Sequence, residues 1–110
     1  MADLEREYPG YRGPYRDGRL HVLAEKCATC IYRPGNLMHL DEGRREQIEQ
    51  DNLDSQSALT CHSTLPYGPH PQAEGAVCRG FYDVTRRRSP ILALADVMGI
   101  IKEIPCPPST

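Results

Sequence analysis

Tryptophan is absent from this chain of 110 residues, phenylalanine occurs once, and only 39% of the residues are hydrophobic. A core built from large apolar side chains alone is therefore thin, and ten prolines and nine glycines cut the rest into short pieces. The length supports one domain. No stretch is apolar for long enough to span a bilayer, and the opening Met-Ala-Asp-Leu-Glu-Arg-Glu is too charged for a secretory signal, so no membrane partner is expected. An overall basic excess is also missing: the formal charge is −2 and the isoelectric point is near 6.1, which disfavours a dedicated nucleic-acid binder. Nothing reads as a catalytic triad, a phosphate loop or paired carboxylates, so catalysis is not expected.

What the chain does have is cysteine. There are five, an odd number that suits a disulfide framework poorly, and without a secretory signal the expected compartment is the cytoplasm, where thiols stay reduced. Four of them, Cys27, Cys30, Cys61 and Cys78, follow the pattern C-x2-C-x30-C-x16-C. A close thiol pair in a turn, joined by two further thiols, is a ligand set for a soft cation. Free cysteines also pack as small hydrophobes, which accounts for one or two but not for a C-x-x-C pair with two more in turn-rich surroundings. A thioredoxin-like dithiol would need a βαβ frame that this sequence lacks, and it would leave Cys61 and Cys78 idle.

The metal is either Zn²⁺ or a [4Fe–4S] cluster. Zinc is favoured by a narrow margin, because small cytosolic domains commonly use closed four-thiolate zinc sites. A cluster accepts one close pair plus two distant cysteines, and Ile31, Tyr32 and Phe81 could shield it. His62, next to Cys61, is expected to support the site by hydrogen-bonding a thiolate or backbone group rather than by ligation. Arg33 and Arg79 are placed to offset the negative charge of four thiolates. Cys106, between Pro105 and Pro107, is read as lying outside the site, and His21, His39 and His70 show no ligand spacing.

Along the chain, residues 1–19 read as an irregular arm in which Tyr and Arg alternate with Pro and Gly. Leu20–Ala24 suits a strand, and Leu37, Met38 and Leu40 are expected to return the chain to the core. Residues 41–51 read as a helix with Leu40, Ile48 and Leu53 buried. Ala58–His62 reads as a short extended segment carrying Cys61, and Ala76–Tyr82 brings back Cys78, with Gly80 allowing close backbone approach beside it. Arg86-Arg87-Arg88 is a solubilising block, or at most an accessory contact to nucleic-acid phosphates. Ser89-Pro90 opens a second helix that ends at Gly99 and is apolar almost all round, hence expected to be buried. Residues 100–104 suit a terminal strand.

Cys27-x-x-Cys30-Ile31-Tyr32-Arg33-Pro34, Cys61-His62 and Cys78-x-Gly80-Phe81, in that order, resemble motifs of small four-cysteine proteins of actinobacteria and their phages that carry domains of unknown function. The resemblance covers roughly residues 27–82 and implies a shared metal-type core without implying an activity. The expected molecule is thus a small, irregular, metal-stabilised α+β domain over residues 20–104, with two helices and a few short strands. An arm over residues 1–19 and a Pro-rich tail over 105–110 would flank it. Its expected role is a non-catalytic binding or regulatory module with a protein partner. A [4Fe–4S] redox or sensor protein and an accessory nucleic-acid-binding factor are the alternatives.

Overall fold

Leu20-His21-Val22-Leu23 is the apolar run closest to the first cysteine pair, and it becomes the buried centre of the structure. The computed structural model describes residues 8–67 and 73–107. Residues 1–7 of the expected arm, 68–72 of the loop after Cys61 (His70 among them) and 108–110 of the tail lie outside the described residues. Strand β1 (Tyr15–Arg16) pairs antiparallel with β2 (Arg19–Leu23) across Asp17 and Gly18, both of which adopt positive φ in the turn. Strand β3 (Ile101–Ile104) runs parallel to β2 on the other side, with Leu20 opposite Ile101 and Leu23 opposite Ile104. All of the chain between β2 and β3 is therefore one long crossover, and it carries the helices α1 (Arg44–Asp54), α2 (Arg79–Thr85) and α3 (Pro90–Val97). The result is a small α+β domain. Among the described residues no helix is long and apolar enough to cross a membrane.

The core is as small as the composition implies. Phe81, Leu23, Leu92, Val22 and Val77 are fully buried, each contributing about 1.5–3 kcal/mol. Among the described residues, four of the thirteen buried apolar residues are Cys27, Cys30, Cys61 and Cys78. Thiols thus fill a large share of the interior volume.

Several local expectations are revised by the structure. The arm is not irregular throughout: β1 lies within it, and Arg16 reaches from β1 to the carbonyls of Gly13 and Gly75, tying it to the core. Helix α1 starts at Arg44 rather than Asp41, because Gly43 takes φ 80° at its N-cap and Asp41 and Glu42 fall outside. No residue of α1 is fully buried. Polar clamps hold it instead: Glu49 accepts hydrogen bonds from the Tyr32 hydroxyl at 2.9 Å and from Arg88 at 2.8 Å. Leu37 and Met38 do not return to the core; they stay exposed on a turn closed by Asn36, whose side chain bonds both the N–H and the carbonyl of Leu40.

The largest local departure lies after Cys78. Residues 79–85 form α2, a third helix where only two were expected along the chain; it buries Phe81, Tyr82 and Thr85 at helical spacing. In α3, Ser89 caps the N–H of Leu92 at 3.3 Å and Pro90 opens the helix, as its residues specify. Only Leu92 and Ala95 of α3 are buried, however; Ile91, Leu94, Val97 and the following Met98 face solvent.

Gly80 sets the spacing between α2 and the loop after Cys30. A Cβ at this position would lie 2.6 Å from the Tyr32 ring, closer than side chains pack. Gly80→Ala must push Tyr32 away and break its bond to Glu49. We expect a loss of about 2–3 kcal/mol in urea unfolding. A neutral result would mean that α2 does not pack on Tyr32.

Candidate metal centre

Two of the four cysteines come from one turn. The Cys30 N–H donates to the Cys27 carbonyl at 3.1 Å and the Arg33 N–H to the Cys30 carbonyl at 2.9 Å, so the chain folds back on itself and turns both thiols to the same side. Arg33 locks this turn from outside, its Nε donating to the Cys27 carbonyl at 2.7 Å and Nη2 to the Lys26 carbonyl at 2.8 Å. It acts on the backbone that presents the thiols.

Cys61 and Cys78 arrive together by a β-bridge invisible in their spacing. Thr60 pairs antiparallel with Val77, which is itself bridged to Val22 of β2. The Cys61 N–H donates to the Ala76 carbonyl and the Cys78 N–H to the Leu59 carbonyl, both at 2.8 Å. Thr64 braces this pairing, donating to the Cys61 carbonyl at 2.9 Å and accepting from the Ala76 N–H at 3.1 Å. Each cysteine then begins a helical turn: Cys61 the short 3₁₀ turn His62–Thr64, and Cys78 helix α2. Free N–H groups at such starts favour a thiolate.

The four sulfurs are buried and linked in a chain. The Cys30 and Cys78 sulfurs are 3.7 Å apart. Cys27 lies close enough to the thiols of Cys30 and Cys61 to interact with both, and it is approached by His62 Nε2 at 3.2 Å. Among the described residues no three His, Cys, Asp or Glu side chains already meet around one point as metal ligands do.

Four like groups at this range cannot all ionise, and the protons divide among them accordingly. The Cys27 thiol is pushed down by the bonds it accepts from Cys30 and Cys61, against the effect of burial. Cys78 is pushed down by the bond from Cys30, with help from the N–H groups of Phe81 and Gly80. Cys30 and Cys61, the donors, are pushed up. His62 is raised by its bond to Cys27, and Thr29 Oγ1 also lies 3.0 Å from its Nε2. His62 therefore touches the sulfur of a candidate ligand.

The remaining candidates lie further out. Arg79 turns away from the sulfurs: it pairs with Asp83 at 3.1 Å and with Glu103, and it stacks over Tyr82. Of the arginine block, Arg86 stacks on Tyr82 and Arg88 pairs with Glu49, which leaves Arg87 without an ion partner among the described residues. Cys106 is better anchored than a tail thiol should be. It packs against the core and donates to the Glu25 carbonyl at 3.0 Å; partial burial first, and then the charge of Cys27, pushes its pKa up. Compared with protein-family models, with curated proteins and with solved structures, the chain matches none of them.

Proposed function

We propose that this protein is a small, non-catalytic binding or regulatory module built around one metal ion held by Cys27, Cys30, Cys61 and Cys78. One observation carries the reading: thiols from the Cys27–Cys30 turn and from both halves of the Thr60–Val77 bridge are buried against one another. Packed thiolates repel, and a cation is the group that turns that repulsion into attraction. The resemblance in motif order to four-cysteine proteins of actinobacteria and their phages belongs to the same proposal, as does a reducing, cytoplasmic compartment.

The contact between Cys30 and Cys78 supports zinc as the cation. Four thiolates at about 2.3 Å around one tetrahedral zinc stand about 3.8 Å apart. The Cys30–Cys78 separation of 3.7 Å fits that spacing. The sulfurs that hold a cubane cluster stand roughly 6–7 Å apart, so a [4Fe–4S] centre would have to push Cys30 and Cys78 away from each other. The nucleic-acid reading is weaker than its motif suggests, because two of its three arginines already have partners within the fold. A protein partner remains the class we propose.

Metal analysis of the purified chain is the direct test, and we expect one zinc per chain. A brown protein with absorbance near ~400 nm would replace zinc by a cluster. Because the ligands are distant in sequence and fill so much of the core, metal binding and folding should be coupled. Cys30→Ser, Cys61→Ser and Cys78→Ser should each lose the metal and become protease-sensitive, whereas Cys106→Ser should keep full stoichiometry and lose at most about 1 kcal/mol with its hydrogen bond. A Cys61 variant that stays folded and fully loaded would defeat the proposal.

His62→Ala tests the supporting shell separately. Removing the ring's bond to Cys27 should weaken zinc affinity by about 10–100-fold in competition with a chromophoric chelator, with stoichiometry unchanged. Unaltered affinity would reduce His62 to a packing group.

A further inference from the structure

A cavity of about 190 Å³ lies against the four cysteines. Its walls are mostly apolar, built by Ile31, Met38, Leu40, Ile48, Leu59 and Leu65; all four cysteines form part of the lining, and Thr60 and His62 border it. Met38 both lines the cavity and is exposed, so the space reaches the surface beside it. Water gains little there, since a buried water needs two to four polar partners and these walls offer almost none. A closed four-thiolate zinc site requires no such space.

We infer that this cavity is a modification site, through which small, uncharged, apolar electrophiles such as α,β-unsaturated carbonyls reach the cysteine sulfurs. The inference rests on the metal-centre reading for its consequence, which is release of the ion. Two physical features select the reagent. The largely apolar walls penalise any charged molecule by its lost hydration. The cavity size excludes a large one. The reaction is a conjugate addition. A thiolate sulfur attacks the β-carbon and forms the C–S bond, the alkene electrons shift to the carbonyl oxygen as an enolate, and the enolate takes a proton from water. No electrons are exchanged with another molecule. The product is a neutral thioether, a far poorer ligand than a thiolate, so one addition leaves the metal with three anionic ligands. Because these sulfurs are also core, the event that weakens the site loosens the fold. The site would thus report the presence of reactive apolar carbonyl compounds.

The matched probes are N-ethylmaleimide and 3-maleimidopropionate, which share a reactive ring and differ in charge. The metal-loaded full chain is treated with each, alkylation is read by peptide mass, and released zinc is read with a chromophoric chelator. Cys106, which does not line the cavity, serves as internal reference. We expect the neutral-to-anionic rate ratio at the four cysteines to exceed that at Cys106 by at least about tenfold, with zinc release tracking the first addition. Ile48→Phe and Leu59→Phe, which narrow the cavity from different walls, should each slow the neutral reagent at the centre by about tenfold and leave Cys106 unchanged. Equal ratios at the centre and at Cys106 would overturn the inference. So would alkylation independent of reagent concentration, because unfolding would then limit the rate. If the purified chain binds no metal, the proposed function fails, yet the rate ratio is still read on the thiols of the folded chain and judges the cavity separately.

Discussion

Mutual contact of four thiols is the constraint on which the rest of this structure depends. Sulfur packs well, and a cysteine is about as easily buried as a small aliphatic residue. Four of them buried close together are a different matter, since the cluster retains protons or acquires a cation, and each choice is a different chemical state of the core. In a protein with many large apolar residues such a cluster would be a local feature. Here these cysteines supply a large part of the buried surface, alongside Phe81, Leu23, Leu92, Val22 and Val77. The charge state of the site and the integrity of the core are therefore one variable.

That dependence explains why the surrounding backbone is so heavily braced. Arg33 is spent on two carbonyls of the Cys27 turn, and Thr64 ties both halves of the Thr60–Val77 bridge. Val77 then joins that bridge to the central strand by accepting from the Leu23 N–H at 3.2 Å and donating to the His21 carbonyl at 2.9 Å. Each bond is modest, contributing about 1 kcal/mol, but together they remove the freedom that would let the thiols spread apart. Glu49 extends the same logic outward, holding α1 through Tyr32 and Arg88 where that helix has no fully buried residue of its own.

The sequence made the chemistry of the site legible more readily than its construction. Cys27 and Cys30 declare themselves by spacing, and Cys61-His62 by adjacency. The strand at Leu20–Leu23, the terminal strand and the Ser89-Pro90 start of α3 follow local rules that the fold obeys. What escaped depended on partners distant in sequence. The Thr60–Val77 bridge is a two-residue pairing with no periodicity to find, and it decides where Cys61 and Cys78 meet. Helix α2 was hidden because Gly80 weakens its first turn, although Phe81, Tyr82 and Thr85 carry the helical spacing. The apolar run in α3 implied burial on all sides, but a domain of this size has too little interior to cover it. Leu37 and Met38 misled for a different reason, their turn being set by Asn36 rather than by hydrophobicity.

Parallel pairing of β2 with β3 adds a final coupling. Chain ends that meet across a long crossover pay a large closure entropy, and only contacts made at the seam offset it. At its cysteine-facing end the seam is dense: the Ala24 N–H donates to the Ile104 carbonyl at 2.8 Å, Cys106 donates to the Glu25 carbonyl at 3.0 Å, and Arg79 pairs with Glu103. Glu25 and Lys26 lead directly into the Cys27 turn, while Arg79 follows directly on Cys78. The last strand therefore grips the chain immediately before the first cysteine and immediately after the fourth. Loosening the centre frees both attachment points of β3, and peeling β3 away releases both ends of the cysteine set. Residues 101–106 contribute none of the four cysteines, yet the integrity of the site and the closure of the sheet are the same cooperative event.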